Sequence, residues 1–273
     1  MGMNNRLLRP RASGFNPRSI AGLKLWLDAS DSTTITLNGS NVSEWRDKSG
    51  AGSPAAAQAT AASQPAFNAT GVNGRGSIDF DATESLAFAS STASFNYLHN
   101  ATGGTMLIVW KPDTSSNPDA IRWLLNNTNN SGANTGISLS FDDRSSVSRN
   151  NRISMIVNRG ASGVSTSSVV SNNDFIAAAD AFCLLSVVCD NANATAGNRL
   201  FLYHNGTSSG VANTLTNAAS TGNATTNLTI GNFGGGGSPA SVAEMIFYEG
   251  VLTSANRSRV EKYLGKKYGI TVA

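Results

Sequence analysis

The run Asp79-Phe80-Asp81-Ala82-Thr83-Glu84 holds acidic residues of the type and spacing that acid–base chemistry needs. In a strand, Asp79 and Asp81 share a face. A retaining glycoside hydrolase uses two carboxyl groups about 5–5.5 Å apart, and one strand face supplies that separation. The same residues also suit a turn in which Asp81 and Glu84 accept backbone amides. The turn is favoured, because a sugar-cleaving pair needs an aromatic platform that this segment does not bring. The expectation is no enzyme and no catalytic residue.

Asp28, Asp31 and Asp47 raise the question of calcium. Calcium takes six to eight oxygens, and no contiguous acidic loop supplies them. Asp47-Lys48-Ser49-Gly50 reads as a tight turn instead, so neither a metal nor a cofactor is expected. His99 and His204 have no nucleophile motif to serve and are read as surface or structural residues. The four-glycine run 234–237 is followed by neither a Lys-Ser/Thr pair nor a helix start, so it is not a phosphate cradle.

Cys183 and Cys189 fall six residues apart in AFCLLSVVCD. In a strand that is roughly 20 Å, far beyond the Cα separation of about 7 Å that a disulfide tolerates. They read as small core residues of a protein folded in a reducing compartment. Trp26, Trp45, Trp110 and Trp123 all lie in strand-like runs, where aromatic side chains are core by default. One or two would form a sugar platform if a sheet face were open, and alternation alone does not separate an open face from a covered one.

Many short strands must position these residues. Period-two apolar patterning begins at LKLWLD and recurs at NVSEW, GSIDFD, GTMLIVWK, AIRWLL, GISLSF, RISMIVN, AFCLLSVV, RLFLYH, NLTIG and VAEMIFYE, with small-residue turns between. Asn205-Gly206 is a type I′ hairpin turn. Residues 51–75 lack a clear period and are expected to be a long loop or irregular crossing. One helix is expected, at about 254–268, capped by Thr253 or Ser254 and stopped by Gly269. Its Val260, Tyr263, Leu264 and Tyr268 should pack on the outside or one end of the sandwich, with its basic residues facing water.

A chain of 273 residues with 14% charged residues and 27 glycines fits one large β-sandwich better than a helical bundle. The net charge of +3 is concentrated at the ends. No aromatic-plus-basic interleaving suggests nucleic acid, and neither an apolar span nor a signal peptide suggests a membrane or export. Residues 1–20 read as a basic arm outside the sandwich. Its Arg6, Leu7, Leu8, Arg9, Arg11, Phe15 and Arg18 supply anchors and charge for a partner chain.

Several segments together resemble the LamG-like domains of the concanavalin A-like lectin/glucanase superfamily, of the kind found in bacteriophage virion proteins. They are IAGLKLWLDASD, VSEWRDKSGAG, SIDFDATESL and the closing VAEMIFYEGVLTSANRSRVEKYLGKKYGI. The resemblance spans about Ile20 to Ile270, with Ala82 and Glu84 standing where the family has Gly and Asp. It implies an all-β, two-sheet antiparallel jelly-roll sandwich over residues 21–273, closed by a short amphipathic helix.

Fold alone does not fix function. The leading expectation is a non-enzymatic bacteriophage virion structural protein, a capsid decoration, head-fibre or tail-associated subunit. It would be assembled in the host cytoplasm and anchored to other virion proteins through the arm. The alternative is a carbohydrate-binding adhesion module for a host surface polysaccharide, and the third reading is a glycoside hydrolase. Homo-oligomer formation is left open.

Overall fold

A computed structural model describes residues 14–273 except 82, 114–120, 129–133, 145–150, 161–165, 171–180, 209–210, 213–218 and 232–239. The chain forms two antiparallel sheets packed as a jelly-roll sandwich, with one α-helix near the C-terminus.

The first sheet is built around Ala240–Glu249. Gly104–Pro112 pairs along one side of it, and Leu23–Asp28 and Arg75–Phe80 follow one another along the other. Beyond Gly104–Pro112 come Cys183–Cys189 and then Leu200–His204. The second sheet runs Ile35–Asn38, Asn41–Trp45, Ala56–Ala57, Ser85–Phe88, Thr229–Gly231, Ile121–Asn126, Thr135–Asp142, Arg152–Arg159, Thr166–Val170 and Val211–Ala212.

The inner faces meet in one apolar core. The first sheet contributes Leu25, Leu27, Met106, Ile108, Trp110, Leu185, Val187, Met245 and Phe247, and the second contributes Trp45, Phe88, Leu125, Ile137, Leu139, Phe141 and Met155. Gly104–Pro112 and Ala240–Glu249 are buried on both faces. Their near-continuous apolar sequence follows from that, since a strand covered twice has no polar side to keep.

The second cover is the helix Ser254–Tyr268. Val260, Leu264 and Tyr268 lie on Trp26, Leu107, Val109, Leu184, Ile246 and Tyr248, the outward side of the first sheet. The Thr253 hydroxyl accepts from the Asn256 amide at 3.2 Å, which makes Thr253 the N-cap. Gly269 closes the helix at φ 71°, the left-handed position that glycine tolerates. Ser186 donates to Glu261 at 2.8 Å, so the sheet also ties to the helix by a buried polar contact.

Two expectations need correction. Residues 51–75 are not one long loop. Ala56–Ala57 joins the second sheet, and Ala66–Val72 forms a hairpin with Arg75–Phe80 across an Asn73-Gly74 turn at φ 48° and 68°. Only Phe67 and Val72 of this strand pack against the apolar clusters, too few to show a period in the sequence. The arm also ends earlier than residue 20. Pro17–Ser19 is a 3-10 turn, Ile20 is buried, and the buried Tyr248 hydroxyl donates to the Pro17 carbonyl at 3.0 Å. Apolar Phe15, Pro17 and Ile20 complete the cover over the first sheet, which the helix alone does not span.

Candidate functional site

The acidic run is structural. Asp81 accepts from the Thr83 amide at 2.7 Å, and Glu84 accepts from the Asp81 amide at 2.8 Å, a closed turn. Burial, with Asp81 and Asp79 nearby, pushes the Glu84 carboxyl above its usual value despite that amide. Asp79 is occupied by Ser77 at 2.8 Å and Asn68 at 3.3 Å. Asp79 has both oxygens bonded, whereas Asp81 and Glu84 each use one oxygen to close the turn.

Where a calcium ion would sit between Asp28 and Asp31, the Lys48 ammonium sits instead, 3.0 and 2.6 Å from the two carboxylates. Asp47 is elsewhere, accepting from the Trp26 and Ser49 amides at 2.8 Å each. Among the described residues no cluster of acidic, His or Cys side chains has the geometry of a metal site.

His99 is fully buried with Nδ1 2.5 Å from the Ser220 hydroxyl, and burial lowers its pKa to about 4. It is a neutral structural residue. His204 is half-buried, with its pKa lowered by the same cause. Cys183 and Cys189 are free and buried on the inner face, where burial pushes both thiols up to about 12. The four-glycine run 234–237 lies outside the described residues.

Of the arm residues, Arg6, Leu7, Leu8, Arg9 and Arg11 also lie outside the described residues. Phe15 and Arg18 are held by the domain itself. The Phe15 ring is 5.7 Å from Tyr263, with the Arg259 guanidinium over it at 5.2 Å. Arg18 donates to the carbonyls of Lys48 and Ser49 and stacks over Trp26 at 5.4 Å. Their side chains pack on the domain itself, Phe15 half-buried and Arg18 exposed.

The four tryptophans divide clearly. Trp45 and Trp110 lie in the inner core, and Trp26 lies under the helix with its Nε1 donating to Glu244 at 2.7 Å. Trp123 belongs to neither cluster and is half-buried. A bulge in Ile121–Asn126 explains why: register shifts between Leu139 and Ser140, so Leu124 and Leu125 both enter the core while Trp123 faces outward opposite Ser140.

Trp123 stands on a surface unlike the outside of the first sheet. Thr135–Asp142 places Ile137, Leu139 and Phe141 inward and Ser138, Ser140 and Asp142 outward. Ser140 lies between Trp123 and Ser154, and Ser138 between Asn126 and Ile156. Thr229 and Ala87 continue the Asn126 row. The small central side chains are buried, and Trp123, Ile156, Ser154 and Thr229 around them are half-buried. The result is a row of small, buried polar side chains with one half-buried aromatic ring at its side.

The sequence reading missed this row. Its signal was present in GISLSF, where each apolar residue is followed by serine or by the strand end, next to a strand that carries tryptophan.

No protein-family model and no curated protein sequence matches the chain. Solved structures do match. The botulinum neurotoxin serotype D binding domain superposes over 89% of this chain with a TM-score of 0.59 at 10% identity. The binding domain of botulinum neurotoxin DC, solved in complex with SialylT, has a TM-score of 0.52 at 9% identity over 91% of this chain. Trypanosoma rangeli sialidase, solved with a difluoro-KDN, has a TM-score of 0.54 at 15% identity over 91% of this chain. The chain spans about half the length of the neurotoxin domains, 51% and 52%, and 33% of the sialidase chain. At such identities the likeness is one of fold, and the fold it establishes is the lectin-like jelly roll that a concanavalin A-like sandwich represents.

Proposed function

We propose that the protein is a non-enzymatic carbohydrate-binding domain that recognises a glycan on the outer face of its second sheet. The observation that carries this reading is the outward Trp123 beside Ser138, Ser140 and Ser154. Sugar rings have one apolar face and a rim of hydroxyls, which a single aromatic side chain and several hydroxyl and amide groups complement. The outer face of the first sheet is instead covered by the helix together with Phe15, Pro17 and Ile20. Support also comes from the shared fold with binding domains, one of them solved in complex with SialylT.

The test is a glycan array probed with the full chain and with Trp123→Ala. Binding that the variant loses, at an unchanged melting midpoint, supports the reading. Undiminished binding by Trp123→Ala moves the site elsewhere.

Anchoring of such a domain to a virion through Arg6, Leu7, Leu8, Arg9 and Arg11 is a further proposal. It rests on the sequence resemblance and the clustered arginines, and the matching structures above lend it no support. Presence of the chain in purified phage particles at fixed stoichiometry is the observation that would carry it.

A further inference from the structure

We infer that the sugar recognised on this face bears a carboxylate and that Arg152 binds it, an inference that rests on the glycan-binding reading. Arg152 begins the strand Arg152–Arg159 directly opposite Asp142, on the same outward side as Ser140 and Ser154. An arginine in that position would ordinarily pair with the acid across from it. Here Asp142 is already held in a fork by Arg144, at 2.9 and 3.0 Å. The neighbouring Asp143 is 2.8 Å from Arg122.

Both described carboxylates at this end of the sheet therefore have a guanidinium, and Arg152 is in excess. Its Nε is buried and has no hydrogen-bond partner. The Ser138 hydroxyl, four residues from Asp142 on the same face, is fully buried and also without a partner. A buried donor left unmade costs about 1–3 kcal/mol, a cost that an acceptor brought to the Arg152 guanidinium would relieve. A guanidinium presents parallel N–H groups that match a carboxylate in two hydrogen bonds, whereas a sugar hydroxyl meets only one. Four residues of strand place the Ser138 and Arg152 rows ~14 Å apart, with Trp123 between them.

The experiment measures affinity of the full chain for α2,3-sialyllactose, trigalacturonate, 6-sulfo-lactose and lactose. At least one carboxylate probe should bind about tenfold or more tighter than lactose, and Arg152→Gln should abolish that difference. Arg152→Lys, which keeps the charge and loses the fork, should retain only part of the preference. Equal affinities for acidic and neutral probes, unchanged in Arg152→Gln, would overturn the inference and leave glycan binding standing. A sulfated probe binding more tightly than both carboxylate probes would also overturn it. Failure of every probe and of a full glycan array would remove the glycan reading itself.

Discussion

Lys267 of the C-terminal helix places its ammonium 2.6 Å from the Glu244 carboxylate, in the middle of a strand buried on both faces. The same ammonium lies 2.7 Å from Asp28. Tyr268 and Trp26 each donate to Glu244 at 2.7 Å, which completes a buried network joining helix and sheet. The two carboxylates respond in opposite directions. Burial, with the Asp28 charge nearby, raises Glu244 above the usual range, whereas the lysines and Ser30 outweigh burial at Asp28 and hold it below.

Lys267→Met should therefore destabilise the domain by about 3–5 kcal/mol at pH 7, the cost of leaving a buried charge without its partner. The sign with pH follows from the raised Glu244. Its contribution is fully present below the unfolded value near 4.5 and is lost as pH rises through the higher folded value. The Lys267→Met defect should accordingly be larger at pH 7 than at pH 4.5. Adding Glu244→Gln should recover part of it, measured by denaturant midpoints in a double-mutant cycle.

Leu264 is fully buried between the helix and the first sheet. Leu264→Ala should cost about 2–5 kcal/mol by opening a cavity there. An unchanged melting midpoint would mean that the helix is not part of the folded core.

Protonating His99 should destabilise the protein as pH falls below 6.5. Its folded pKa of about 4 lies below the ordinary 6.5, so its stabilising contribution is complete above pH 6.5 and is lost as pH falls toward 4. A depression of that size corresponds to roughly 3 kcal/mol. His99→Gln should flatten the stability profile between pH 6.5 and 4, and a profile that keeps its slope would assign the acid sensitivity to another group.

Truncation after residue 18 should lower the melting point. It removes the acceptor of the buried Tyr248 hydroxyl and takes Phe15 off Tyr263, a loss of about 2 kcal/mol or more. Truncation after residue 13 removes neither contact and should leave the midpoint in place. Equal midpoints for both truncated chains would show that the 3-10 turn at Pro17–Ser19 contributes nothing.

Asp79→Asn with Asp81→Asn should leave no activity to compare, because neither variant nor wild type should release reducing sugar from a β-glucan. Asparagine can accept the Thr83 amide as aspartate does, so stability should change by less than about 0.5 kcal/mol at the exposed Asp81 turn. Product formed by wild type and not by the double variant would restore a catalytic role to this pair.

What the sequence determined by itself is local. The helix from Ser254 to Tyr268, its Thr253 cap and Gly269 stop, and the Asn205-Gly206 turn at φ 49° and 84° follow from neighbouring residues alone. So does the inward set of each strand, since side chains alternate whatever the strand packs against. Glu244 in VAEMIFYE and Lys48 after Asp47 gave no such signal. Their partners lie at Lys267, Asp28 and Asp31, and only the folded chain brings these charges together. The tryptophans show the same limit. Trp26 and Trp123 both face outward from their sheets, but a helix and the residues around Pro17 cover one, while a row of serines lies beside the other. Alternation names the two faces of a strand, and long-range packing decides which of them is closed.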